Sequence, residues 1–203
     1  MEYRELTCPC CGKKVSIPID PASRDFDFNY SILINSYEEF FDMVDMCPEC
    51  GYVFLFEKSV DEDEREYIAS DEYKNILNDK DMDEGLKKWV LYAVLSEHVE
   101  SFTEAGIAYM KAYDYLELKN MDLNKRFIEK SASCFLASAE KKVSFTETIL
   151  AVDCLRRDGE FEQAKGVLEL AKETFEGGLV DALTDKEAMW IDLKETAKRY
   201  LDI

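Results

Sequence analysis

Histidine is almost missing from this chain: His98 is the single one among 203 residues. Because histidine is the side chain that ordinarily titrates near neutrality, its scarcity removes the usual general base and any histidine-rich catalytic metal site. His98 itself sits in "LSEHVES" at the end of a helical stripe, where a helix-end or surface role is expected. No glycine-rich phosphate loop and no nucleophile elbow can be found. Long apolar runs are missing as well. No window approaches the roughly 18 uninterrupted apolar residues of a membrane span, and "MEYRELTCP" at the N-terminus shows no basic stretch leading into an apolar one. A cytoplasmic protein without membrane contact is expected.

Positive charge is in short supply. The chain carries 25 Lys and Arg against 44 Asp and Glu, a net charge of -19, which repels phosphate backbones over a Debye length of about 8 to 10 Å. Residues 1–57 hold only Arg4, Lys13, Lys14 and Arg24 as bases against eleven acids. Nucleic acid is therefore an unlikely partner, although nucleic-acid binding remains the alternative for the cysteine motif described next. Carboxylate pairs such as Asp25 with Asp27 could take a cation, but among 44 acids such pairs arise by chance. With no catalytic constellation legible, the chain is expected not to be an enzyme.

Cysteine, in contrast, is plentiful and patterned. Seven are present, and in a reducing compartment closely spaced pairs favour metal over disulfides. "TCPCCGKK" and "MCPECGYVF" share one frame, Cys-Pro-x-Cys-Gly, at Cys8 to Gly12 and at Cys47 to Gly51. Two residues between cysteines let one tight turn aim two sulfurs at one ion, and the following glycine accepts the positive φ such a turn tends to need. Two such knuckles at hairpin turns supply four thiolates, Cys8, Cys11, Cys47 and Cys50, to a structural zinc ion with no position left open for water. Cys10 reads as the variable knuckle residue, with a thiol open to oxidation. A redox Cys-x-x-Cys pair and a rubredoxin-like iron site for electron transfer stay as rivals, the latter beside the aromatic Tyr52, Phe54 and Phe56.

Flanking patterns complete the architecture. Val15, Ile17 and Ile19 alternate as in a half-buried strand, and "YVFLFEK" has strand composition. The expected organisation is α+β: a small N-terminal β zinc ribbon over residues 1–57, an acidic linker with short helices over 58–83, and a helical domain over 84–203. In that last part Leu86, Trp89, Val90, Ala93 and Val94 form one stripe, Ala105, Ala108, Tyr109, Ala112 and Leu116 a second, and Ile128, Ala132, Phe135, Leu136 and Ala139 a third. Ser144 with Glu147 and Thr184 with Glu187 match capping boxes, which would start two helices, and Trp190, Leu193, Ala197 and Leu201 stripe a final helix. Cys134 and Cys154 lie among apolar neighbours and are expected in the core. In "TETILAVDCLRRDGEFEQAKGVLELAKETFEGG" a helix ends at Gly159 and a second follows with Ala164, Leu168 and Ala171 on one side, similar to a tetratricopeptide repeat.

The order of "CPCCG", "RDFDFNYSILINSYEEF", "CPECGYVFLFEKS" and repeat-like helices resembles the bacterial family known as domain of unknown function 2225. On that resemblance Asp25, Asp27, Asn35, Tyr37 and Cys47 to Tyr52 are the matching positions, with Ser36 where a proline is usual. It implies bound zinc, tetratricopeptide-like (TPR-like) helices and a bacterial origin, and no known activity. The function expected overall is that of a non-enzymatic zinc-binding interaction module. Its partner would be a basic or amphipathic protein or peptide, since stacked helical hairpins commonly present such a groove.

Overall fold

The computed structural model describes residues 2–19, 44–55, 59–122 and 124–197. Among them the chain is mostly helical, with two small antiparallel sheets near the N-terminus, and it divides into two compact units, Met1–Val99 and Glu100–Ile203.

In the first unit, strands β1 (Glu2–Thr7) and β2 (Lys14–Ile19) form one hairpin, and β3 (Val44–Met46) and β4 (Val53–Leu55) form another. Thr7 lies opposite Lys14 and Met46 opposite Val53, so Cys8–Lys13 and Cys47–Tyr52 are equivalent turns. Three helices follow: α1 (Glu62–Ala69), α2 (Asp71–Leu77) and α3 (Glu84–His98).

The acidic segment, expected as a linker with short helices, holds two short helices, α1 and α2, and lies within the first unit. Asp61 caps α1 in a capping box with Glu64, Ser70 caps α2 and Asp83 caps α3. Further acids fill the first turns (Glu62 and Asp63, Asp71 and Glu72, Glu84), where negative charge suits the helix dipole. Much of the acid run is thus punctuation for three helix starts. Helix α3, assigned by its stripe to the helical domain, belongs to the first unit, where it packs on α1, α2, β3 and β4. Its residues Trp89 to Ser96 are all buried, as expected of a helix covered on several sides. His98 ends it, stacked on Tyr67 at 4.1 Å with its Nε2 3.0 Å from Asp63.

Among the described residues the second unit is a run of five helices: α4 (Phe102–Leu118), α5 (Lys125–Lys142), α6 (Phe145–Asp158), α7 (Phe161–Thr174) and α8 (Gly178–Asp192). From α5 onward each packs on the one before it, and α8 also touches α6. Small residues set the closest approach. A Cβ on Gly106 would come within 2.9 Å of the Phe135 ring, and the Ser131 hydroxyl donates to the Gly106 carbonyl at 2.7 Å. Cys134 and Cys154 are both buried, and Gly159, at φ 93°, ends α6 in the left-handed region that favours glycine.

Three local expectations need correction. Ser144 does precede a helix, but its hydroxyl donates to the Glu147 carboxylate rather than receiving the Glu147 N–H, and Glu147 also accepts from Thr103 at 3.0 Å. Thr184 and Glu187 lie inside α8, which begins six residues before Thr184 at Gly178. The Thr184 hydroxyl bonds the Asp181 carbonyl, and the Glu187 carboxylate is held 2.9 Å from Arg156 Nε. The last helix ends at Asp192, leaving Leu193 exposed; Leu201 lies outside the described residues.

Adjacent buried arginines tie these helices together. Arg156, with no exposed surface, bonds Glu187, Asp153 and the carbonyls of Glu195 (2.6 Å) and Ala197 (3.0 Å), and Arg157 pairs with Asp114 and lies 3.5 Å from Glu117. Removing one member strands the others without water, a loss of about 3 to 5 kcal/mol. Arg156→Ala is expected to lower the unfolding free energy by an amount of that order, and with it the thermal midpoint. Arg156→Met combined with Glu187→Leu should recover part of the loss, as read by circular dichroism melts.

Candidate metal centre

The two turns are near copies in their backbone bonding. Cys8 N–H donates to the Lys13 carbonyl and Gly12 N–H to the Cys8 carbonyl, at 2.8 and 2.9 Å. Cys47 N–H donates to the Tyr52 carbonyl and Gly51 N–H to the Cys47 carbonyl, both at 2.8 Å. Gly12 and Gly51 take φ of 70° and 74°, a region costly to other residues, which explains their place directly after the second cysteine.

Their environments differ. A Cβ on Gly12 would meet nothing within 4 Å, whereas one on Gly51 would collide with the Leu77 side chain. Tyr73, fully buried on α2, donates its hydroxyl to the Gly51 carbonyl at 2.9 Å, and Tyr52 and Phe54 beside that turn are buried and stacked at 5.5 Å. The second turn is therefore clamped by α2. Lys13 and Glu49 form an exposed ion pair from one turn to the other.

These constraints bring the four predicted cysteines together. Cys8, Cys11, Cys47 and Cys50 have sulfurs all within 4.8 Å of one another, with Cys8 to Cys50 at 3.8 Å and Cys11 to Cys47 at 3.9 Å. A tetrahedral ion with metal–sulfur bonds of about 2.3 Å separates its sulfurs by about 3.8 Å. A disulfide, with sulfurs near 2.05 Å, does not fit these distances, and none of the seven cysteines is in a disulfide. The donor set suits a soft or borderline cation, and Cys8 and Cys47 are buried while Cys11 is exposed.

Backbone N–H groups also point at the sulfurs. Burial pushes the Cys8 thiol up to about 11 against N–H bonds from Cys11 and Cys10, and burial raises Cys50 against an N–H bond from Tyr52. Burial acts upward on Cys11 too, but the Lys13 N–H and the neighbouring thiols outweigh it, and its pKa falls below the ordinary value. Without a cation, burial holds the Cys8 and Cys50 thiols protonated near neutrality; a bound cation would reverse that, and the N–H groups would then stabilise thiolates.

Cys10 stands outside the group of four, half-buried, its pKa raised by burial and partly offset by a bond to Cys50. Asp25, Asp27, Asn35, Tyr37 and Phe56 lie outside the described residues. The clamp by Tyr73 and Leu77 was missed from sequence, because its residues sit more than twenty positions beyond the cysteines in a stretch that reads as charged surface.

Elsewhere, a shallow cleft of about 170 Å³ between α7 and α8 is lined by Lys165, Leu168, Lys172, Ala188 and Ile191 among others. It is smaller than the roughly 300 to 1,000 Å³ of ordinary small-molecule sites. Among the described residues no helix is long and apolar enough to cross a membrane. No family model, curated protein or solved structure matches the chain.

Two predictions follow from the geometry. Cys47→Ser or Cys50→Ser should reduce bound metal to a small fraction of wild type by elemental analysis and melt the hairpins, with most far-UV helical signal retained, whereas Cys10→Ser should keep full metal content. Metal added to the metal-free protein at neutral pH should release protons from the thiols it binds, so affinity falls steeply on acidification; pH-indicator titration and metal competition measure both.

Proposed function

We propose that the chain is a non-enzymatic protein-interaction module whose N-terminal hairpins form a zinc ribbon and whose helices present a binding surface. The observation that carries the metal half of this reading is the sulfur geometry: four thiols at separations that suit a tetrahedral ion, a donor set that would fill all four of its positions. A closed site of that kind contributes folding free energy rather than catalysis. Zinc fits because a d10 ion accepts the tetrahedron without electronic preference.

The interaction half rests on the second unit. Five helices stacked in chain order, with a hairpin at α6 and α7 whose Ala164, Leu168 and Ala171 are buried, support a repeat-like, TPR-like array. Similarity to the domain of unknown function 2225 family belongs to the same reading and brings no activity with it. The single histidine is paired with Asp63 and stacked on Tyr67, which favours a structural role over a catalytic one. The net charge of -19 sets the reading against nucleic acid and toward a basic or amphipathic partner.

A second reading, iron and electron transfer, is favoured only by the stacked Tyr52 and Phe54 beside one knuckle. Protein purified without chelators or added metal is expected to carry one colourless zinc per chain, and tagged protein should retain a defined protein partner after nuclease treatment. A red, iron-loaded protein would replace the zinc reading with electron transfer, and binding to DNA or RNA with steep salt dependence would replace the protein-partner reading.

A further inference from the structure

The outermost described helix of the second unit, α8, is two-sided even on its solvent face. Its buried residues are Leu183, Thr184, Glu187 and Ile191. Turned away from them are Leu179, Met189 and Leu193, exposed at 41%, 50% and 71%, together with exposed Ala182. Positions 179, 182, 186, 189 and 193 step by three and four, so these side chains and half-buried Lys186 form one strip along the helix. At 100° per residue, Asp181, Asp185 and Asp192 make a second exposed strip directly beside it. Lys186 is the only base in the helix.

A contiguous apolar strip is an unusual solvent-facing side for a helix, since outward-facing positions are ordinarily polar. The three aspartates give the strip a sign. Asp185 is paired with Lys172 of α7 at 2.9 Å, while Asp181 and Asp192 enter no ion pair among the described residues. The cleft between α7 and α8 is too small to take a helix, so the outer face is the available seat.

We infer that this face of α8 docks a basic amphipathic helix. The partner's apolar residues, at three- and four-residue spacing, lie along Leu179, Ala182, Met189 and Leu193, and its lysines or arginines face Asp181, Asp185 and Asp192. The inference rests on the interaction-module reading and specifies the partner's chemistry. A second copy of the chain is the poorer occupant, because it would offer aspartates to aspartates from a chain of net charge -19.

The test uses the full-length, metal-loaded chain and a fluorescent peptide of about 18 leucines and lysines, the leucines spaced by three and four so that they share one helix face. Binding is read by anisotropy. A peptide of the same composition with scattered leucines is expected to bind at least about tenfold more weakly, and a leucine–glutamate peptide of the original spacing not to bind. Met189→Gln with Leu193→Gln, and separately Asp181→Asn with Asp192→Asn, should each weaken binding about tenfold, while Asp71→Asn with Glu72→Gln on α2 changes nothing. All the substituted positions are exposed, and unchanged circular dichroism checks the fold.

Equal binding of the scattered peptide, or binding indifferent to the α8 substitutions, overturns the inference while leaving the interaction-module reading standing on another surface. A dimer in sedimentation that Met189→Gln with Leu193→Gln dissolves overturns it in favour of a second copy. No binding by any peptide also overturns it, and the nuclease-treated capture then decides separately whether the module reading survives.

Discussion

Four sulfurs confined within 4.8 Å of one another can be neutral thiols or can share a cation, but they cannot all be bare anions. That electrostatic constraint organises the N-terminal half. Hairpins with three-residue strands such as β3 and β4 bury little by themselves, and strands this short are marginal in water. A cation binding all four sulfurs would join the β3–β4 hairpin to the β1–β2 hairpin at their tips, and its binding free energy would count toward folding. The turn hydrogen bonds, the positive-φ glycines and the N–H groups aimed at the sulfurs all serve one geometry.

The clamp on the second turn extends that geometry into the helices. Tyr73 bonds the Gly51 carbonyl, Leu77 fills the space a side chain at 51 would need, and α3 packs behind β3 and β4. The knuckle and the helices of the first unit thus depend on each other through α2. The second unit is held by different means: close helix contact at Gly106 and a buried arginine network that binds the backbone beyond α8. That network carries a desolvation cost, and Leu155, Leu168 and Ile191 are buried on α6, α7 and α8.

What was legible in the sequence was local and periodic. The two Cys-Pro-x-Cys-Gly frames placed the turns because metal ligation, glycine φ and proline φ all act within five residues. The α3, α4 and α5 stripes were readable because a helix repeats its buried face. What depended on distant partners was not readable. Glu187 looked like a capping residue until its partner, 31 positions away, was known. The acidic segment over 58–83 read as a linker with short helices because charge marks both linkers and helix N-termini, and the short apolar set Ile68 and Tyr73 was too sparse to show that it packs into the first unit.

The central claim is that Cys8, Cys11, Cys47 and Cys50 together close one metal site. X-ray absorption at the metal edge, on protein purified without added metal, tests it most directly. The account predicts a single sulfur shell of about four atoms at about 2.3 Å with no nitrogen or oxygen. A nitrogen or oxygen ligand, fewer than four sulfurs, or a folded protein that holds no metal would contradict it.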